Sequence, residues 1–194
     1  MKTTDSRSRL ALIGWSAAAF SALYWLSDVI EASQGGFSDG QLWLTLIAEA
    51  AIPPIMLGLW WAQRDRIGRL GTAGAWAYAG AYVFFTFTVA YALVNGTPDY
   101  DALTDDLGIA MTLAGAVMLA AGVAFGAAVA RAGTLPAWTG WTLAAGVVAV
   151  VATQGAPEGL ALAATAVRAL GLGAMGVALA RSVARPATRV GAAV

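Results

Sequence analysis

The chain of 194 residues is too apolar for a soluble protein, because 59% of its residues are hydrophobic and only 11% are charged, against roughly 25% charged residues in soluble domains. It contains no cysteine and no histidine, which excludes disulfides, thiol catalysis, histidine-ligated haem and histidine-based triads. No basic cluster indicates nucleic acid binding, and we expect no cofactor and no metal site.

Six apolar segments follow one another with short connections, and each is long enough to cross a hydrocarbon core about 30 Å thick. This pattern predicts an all-α, multi-pass protein of the plasma membrane, a six-helix transmembrane bundle (residues 9–180) surrounded by membrane lipids. A short cytoplasmic segment (1–8) precedes it, and a polar tail (181–194) that we expect to be disordered follows. The predicted spans are residues 9–30, 41–62, 71–94, 104–130, 136–154 and 158–180.

Basic residues collect at alternate connections, whereas the remaining connections are acidic. The positive-inside rule assigns the basic side to the cytoplasm, so both termini are predicted to be cytoplasmic. The basic residues on that side are Lys2, Arg7, Arg9, Arg64, Arg66, Arg69, Arg131, Arg181, Arg185 and Arg189.

The first span carries three candidate site residues, Tyr24, Trp25 and Asp28. Spacings of three and four place such residues on one helix face. Asp28 lies about one turn from the outer end of the span, so the alternative is a plain interfacial carboxylate.

The second span contains Glu49 well inside its apolar run, followed by Pro53 and Pro54. A proline cannot donate the helical hydrogen bond to the carbonyl four residues back, which frees the carbonyls of Glu49 and Ala50. A medium without water cannot solvate these acceptors. These acceptors must therefore bind a proton, a cationic side chain, water or a ligand.

The third span is dense in aromatic and hydroxyl side chains, including Tyr82, Phe84, Thr88 and Tyr91. An aromatic wall near a carboxylate suits a cationic or electron-deficient ligand through cation–π attraction. Ordinary helix packing is the alternative interpretation of these side chains.

The sixth span contains Arg168 inside an otherwise apolar run. A rise of about 1.5 Å per residue puts Glu49 about 12 Å and Arg168 about 15 Å from the outer surface. The two charges therefore share a depth, which predicts a polar chamber in the outer half of the bundle. The alternative is a structural ion pair, since buried charges in membranes pair for solvation alone.

Residues 130–146, ARAGTLPAWTGWTLAAG, resemble a large family of uncharacterised bacterial membrane proteins with about six or seven helices. The pattern is a basic residue, a glycine, a Leu-Pro pair, and then an aromatic residue and a glycine that open the next span. The resemblance implies a topology and supplies no activity. The matching residues are Arg131, Gly133, Leu135, Pro136, Trp138 and Gly140.

The leading hypothesis is that the outward-facing chamber binds a hydrophobic or amphiphilic small molecule. An enzyme of this kind would rearrange an isoprenoid or lipid, with Glu49 as general acid or base. Arg168 would set the pKa of Glu49 or hold an anionic group. The alternatives are a small proton-coupled transporter of a cationic or aromatic compound, and a non-catalytic accessory subunit. The oligomeric state stays open. The predicted catalytic residues are Glu49, Asp28 and Arg168, and the predicted ligand-binding residues are Tyr24, Trp25, Tyr82, Phe84, Thr88 and Tyr91.

Overall fold

The structure, a computed structural model, describes residues 2–184, with side chains described from Ser6 onward. Within that range the chain forms seven α-helices and no strand. The helices are α1 (Lys2–Gln34), α2 (Asp39–Gln63), α3 (Gly68–Asn95), α4 (Tyr100–Leu107), α5 (Ile109–Ala132), α6 (Ala137–Ala152) and α7 (Glu158–Ala184).

Five of these helices, α1, α2, α3, α5 and α7, are long and apolar enough to cross a membrane. The sixth apolar helix, α6, has only 16 residues. The coarse expectation of an all-α membrane protein is thereby confirmed.

The predicted fourth span, 104–130, divides into two helices at Gly108. This glycine has φ 53° and ψ −126°, a backbone conformation that residues with a side chain rarely adopt. The short helix α4 before it is capped by Asp99, whose carboxylate accepts a hydrogen bond from the Ala102 amide at 2.8 Å. The acidic stretch is therefore a separate capped helix.

The ends of the chain also differ from the predicted bounds. α1 extends four residues past the predicted end of its span, to Gln34, and α7 continues to Ala184. The first four residues of the predicted disordered tail, 181–184, are therefore helical. The remainder of that tail, 185–194, lies outside the described residues.

Six of the helices form a closed ring. Each packs on its neighbours in the order α1, α2, α3, α5, α6, α7, and α7 packs on α1. Short connections make neighbours antiparallel. We call the end with loops 35–38, 96–99 and 153–157 the acidic end, and the end with loops 64–67 and 133–136 the basic end.

The half of the ring near the basic end is filled by apolar side chains. Met56, Leu59, Phe125, Leu143 and Met175 are fully buried there. Such close packing leaves no continuous space along the axis in this half, so any cavity on the axis must lie toward the acidic end.

Candidate functional site

A cavity of about 750 Å³ opens at the acidic end. All six ring helices and α4 contribute to its wall, which carries both polar and apolar groups. We call this cavity the chamber. It lies in the half of the bundle that carries the acidic loops.

The polar residues of the wall formed by α2 are Gln41, Thr45 and Glu49, which share one face through a spacing of four residues. The Gln41 side-chain amide donates to Thr45 Oγ1 at 3.0 Å and to Glu31 Oε2 at 3.2 Å. These bonds fix the part of the wall that lies between Glu49 and the acidic end.

Glu49 is 3% exposed, and only one of its oxygens is bonded. The Tyr24 hydroxyl donates to Glu49 Oε1 at 2.9 Å. Oε2 is buried and finds no hydrogen-bond partner among residues 6–184. A buried oxygen without a partner is costly, so Oε2 is the atom at which a proton or a ligand would be bound. α2 runs unbroken through Pro53 and Pro54 below it.

Arg168 is 7% exposed and also borders the chamber. Its guanidinium carbon lies 4.8 Å from the centre of the Tyr24 ring, a distance suited to cation–π attraction. Its Nε has no partner among the described side chains and backbone groups. Tyr24 therefore contacts both buried charges.

Glu49 and Arg168 do not form the structural ion pair that was the alternative interpretation. Among the described side chains an ion pair joins Arg64 to Asp65, at the basic end, and none joins Glu49 to Arg168. Because the carboxylate of Glu49 is bonded to a phenol instead, neither charge is satisfied by the other, and both keep bonding capacity toward the chamber.

The position of Arg168 depends on a close contact between α6 and α7. A methyl group added at Gly146 would overlap the backbone of Val167 and Arg168. Only a glycine allows the two helices to approach this closely, and the approach sets where the guanidinium enters the chamber.

Asp28 lies one turn beyond Tyr24 on α1 and lines the chamber. Its Oδ2 is buried and without a partner in the described part of the chain. The structure thus brings together all three predicted catalytic residues, Glu49, Asp28 and Arg168, around Tyr24.

Of the six predicted ligand-binding residues, two line the chamber, one lies directly behind the lining and three lie elsewhere. Tyr24 and Thr88 line the chamber. Tyr82 is buried behind Tyr24, with ring centres 6.2 Å apart, and packs on Tyr78 at 5.2 Å. Tyr82 therefore supports the position of Tyr24 rather than meeting a ligand.

The other three predicted residues lie away from the chamber. Trp25 is 38% exposed on the outer face of α1, and its indole donates to the Leu162 carbonyl at 3.3 Å. Phe84 packs in a small apolar cluster. Tyr91 is 37% exposed and donates a long hydrogen bond to Asp106.

Several lining residues were not predicted from the sequence. The spacing of four along Gln41, Thr45 and Glu49 would have indicated the first two, and the spacing of three between Thr165 and Arg168 would have indicated Thr165. No comparable signal marks the remaining ones. The unpredicted polar and aromatic lining residues include Glu31, Phe37, Gln41, Thr45, Phe85, Tyr100, Asp101, Thr104 and Thr165.

The charges along the wall are unequal. Five carboxylates line the chamber, and Arg168 is the one basic residue among the described lining residues. The Coulomb field of these carboxylates favours a cationic or hydrogen-bond-donating group near the mouth. The carboxylates are Asp28, Glu31, Glu49, Asp101 and Glu158.

A second concave surface lies on the outside of α1 and α7. This groove of about 920 Å³ is lined mostly by apolar residues, with Ser21, Thr134, Arg181 and Ser182 as exceptions. It lacks the convergent polar groups that mark a ligand site. The chamber is therefore the better candidate for chemistry.

Comparison with protein-family models, with curated proteins and with solved structures finds no match to this chain. The resemblance of residues 130–146 to uncharacterised membrane proteins therefore stays a prediction. Locally, Gly133 is the C-cap of α5, with φ 66°, and Pro136 is the N-cap of α6.

Proposed function

We propose that this chain is an integral membrane protein that binds an amphiphilic small molecule in the chamber and exchanges a proton with it through Glu49. The observation that carries this proposal is Glu49 Oε2, a buried carboxylate oxygen without a partner at the wall of a cavity of about 750 Å³. Ligand pockets commonly have volumes of roughly 300–1,000 Å³.

The chemistry that suits such a site is the rearrangement of an isoprenoid or lipid. Glu49 would take a proton from one atom of the ligand and return one to another atom, in either order. The ligand would then be isomerised or cyclised with no change in composition, and the carboxylate would be regenerated. Tyr24 would hold Glu49 in place through its hydrogen bond of 2.9 Å, and Arg168 would stabilise negative charge.

A proton-coupled transporter of a cationic or aromatic compound is the second candidate. The excess of carboxylates in the chamber favours a cation. Transport requires a second arrangement open at the other end, where Phe125 and Leu143 are packed and fully buried. Unpartnered polar groups beside a cavity argue against a purely structural accessory role.

The orientation is part of the same proposal. Six spans, including the short α6, would put both termini and the basic end in the cytoplasm of a bacterial plasma membrane. The chamber would then open outward.

Single cysteines test this orientation, because the chain has none of its own. Exposed positions at the acidic end, Gln34→Cys, Asn95→Cys and Gln154→Cys, are expected to react with an impermeant thiol reagent added to intact cells. Asp65→Cys and Ser182→Cys, exposed at the basic end, are expected to react only after the membrane is opened. The reverse pattern would invert the proposed topology.

Ligand binding is tested by thermal stabilisation of the purified protein with isoprenoids, lipids and aromatic cations. A ligand of the chamber raises the melting temperature in step with the logarithm of its concentration. Thr165→Trp, which fills the chamber, should abolish the shift. Val94→Trp, on the exposed face of α3, should keep it. No shift with any class, or a shift that persists in Thr165→Trp, would contradict the proposal.

A further inference from the structure

α6 is too short to close the wall of the ring at the acidic end. Its 16 residues span about 24 Å, less than the roughly 30 Å of a hydrocarbon core. Its neighbours α5 and α7 have 24 and 27 residues. α6 therefore ends inside the apolar layer while its neighbours continue.

The contacts between α5 and α6 show where the wall ends. α5 packs on α6 where Gly126 meets Gly140 and Gly122 meets Val147. The same stripe of α5 continues toward the acidic end at Leu119, beyond these contacts, with helical spacing of three and four. Leu119 still packs against the apolar core while it lines the chamber, whereas Thr112 and Ala116, nearer the acidic end of α5, line the chamber and are exposed.

The rim of this gap is exposed. Thr112 and Ala116 of α5 and Val151 of α6 line the chamber and are also exposed. Exposure to the chamber alone does not account for this, because Glu49 and Thr88 line the same chamber and stay buried. These rim residues therefore lie at an opening in the wall, which we call the portal.

The portal and the mouth differ in chemistry. The portal is bordered by Thr112, Ala116, Val150 and Val151, none of which is charged. Acidic residues such as Asp101 on α4 and Glu158 at the start of α7 line the chamber at its mouth. An uncharged opening at the level of the apolar layer faces lipid chains, whereas an acidic opening faces water.

We propose that the chamber takes its ligand sideways from the bilayer, through the portal between α5 and α6. This proposal rests on the proposed function and narrows its substrate class to a membrane-dissolved amphiphile. The polar or cationic group reaches Glu49, and the apolar chain stays between α5 and α6. A solute without an apolar chain would not use this route.

A reporter cysteine in the chamber tests the route. Thr88, on α3, lines the chamber and is buried, so that a reagent can reach Thr88→Cys only through the chamber. The protein in liposomes is treated either with a long-chain alkyl maleimide dissolved in the bilayer or with a water-soluble quaternary-ammonium thiosulfonate. We expect both reagents to react, the first through the portal and the second through the mouth.

The portal is then blocked with Gly115→Trp. Gly115 lines the chamber on α5, and a Cβ added there meets no other atom. We expect the alkyl maleimide to react about tenfold more slowly, which corresponds to about 1.4 kcal/mol of added barrier, and the cationic reagent to react at an unchanged rate. Ala116→Trp is the second blocking variant. Gly80→Trp, also in open space but on the outward face of α3, should change neither rate.

The outcomes separate the two proposals. Reaction with the cationic reagent alone, or an alkyl rate unchanged by both blocking variants, would overturn the portal and leave the chamber intact. Reaction with neither reagent would overturn the chamber and with it the proposed function. An unchanged cationic rate in the blocked variants also shows that they are folded.

Discussion

Replacement of Glu49 by glutamine is expected to lower turnover by about 10²–10⁴-fold, the usual contribution of general acid–base catalysis, while ligand binding is kept. Glutamine has nearly the same shape, and its amide oxygen can still accept the hydrogen bond from Tyr24 that Glu49 accepts at 2.9 Å. It cannot gain or lose a proton. The measurement is turnover of any ligand that stabilises the protein, with binding followed in parallel by the shift in melting temperature.

Two further variants control this experiment. Glu158→Gln removes an exposed carboxylate at the mouth and should leave turnover nearly unchanged. Glu49→Asp keeps a titrating group but withdraws it by one methylene, so intermediate activity is expected. Full activity of Glu49→Gln would end the acid–base hypothesis. If the protein is a transporter, the same variant should abolish uptake driven by a pH gradient in proteoliposomes.

Removal of both buried charges is expected to cost less stability than the sum of the two single removals. Glu49→Gln leaves the guanidinium of Arg168 without the carboxylate of Glu49, although Asp28 lines the same chamber, and Arg168→Gln leaves Glu49 without the guanidinium. Direct buried pairs in soluble proteins lose about 3–5 kcal/mol when one partner is removed. Because Tyr24 contacts both groups and they make no direct bond to each other in the described structure, we expect a coupling closer to the 1 kcal/mol typical of membrane bundles.

The double variant Glu49→Gln with Arg168→Gln completes the cycle. Its loss of stability should be smaller than the sum of the single losses by about 1 kcal/mol, or about 2–4 °C in melting temperature for a chain of this size. Thermal unfolding in detergent measures all three variants. Glu158→Gln combined with Arg168→Gln is the matched control and should be additive. Strict additivity of the Glu49 and Arg168 losses would show that the two residues do not interact.

The amino-acid sequence by itself determined the membrane class, the separation of charges between the two ends and the shared depth of Glu49 and Arg168. These properties depend on segment length, hydropathy and the constant rise of a helix. They do not depend on which helices are neighbours, and therefore the order of residues along the chain is sufficient to predict them.

Only the tertiary structure decided which side chains face the chamber. Tyr24 and Trp25 are adjacent in sequence and so point about 100° apart on α1, one toward Glu49 and the other to the outer face. The sequence could not separate them, because lipid chains and the bundle interior are both apolar and hydrophobic periodicity does not mark the inward face. The contact of Tyr24 with both buried charges, like the portal, follows from how the helices pack. That packing depends on close contacts such as that of Gly146 with Arg168.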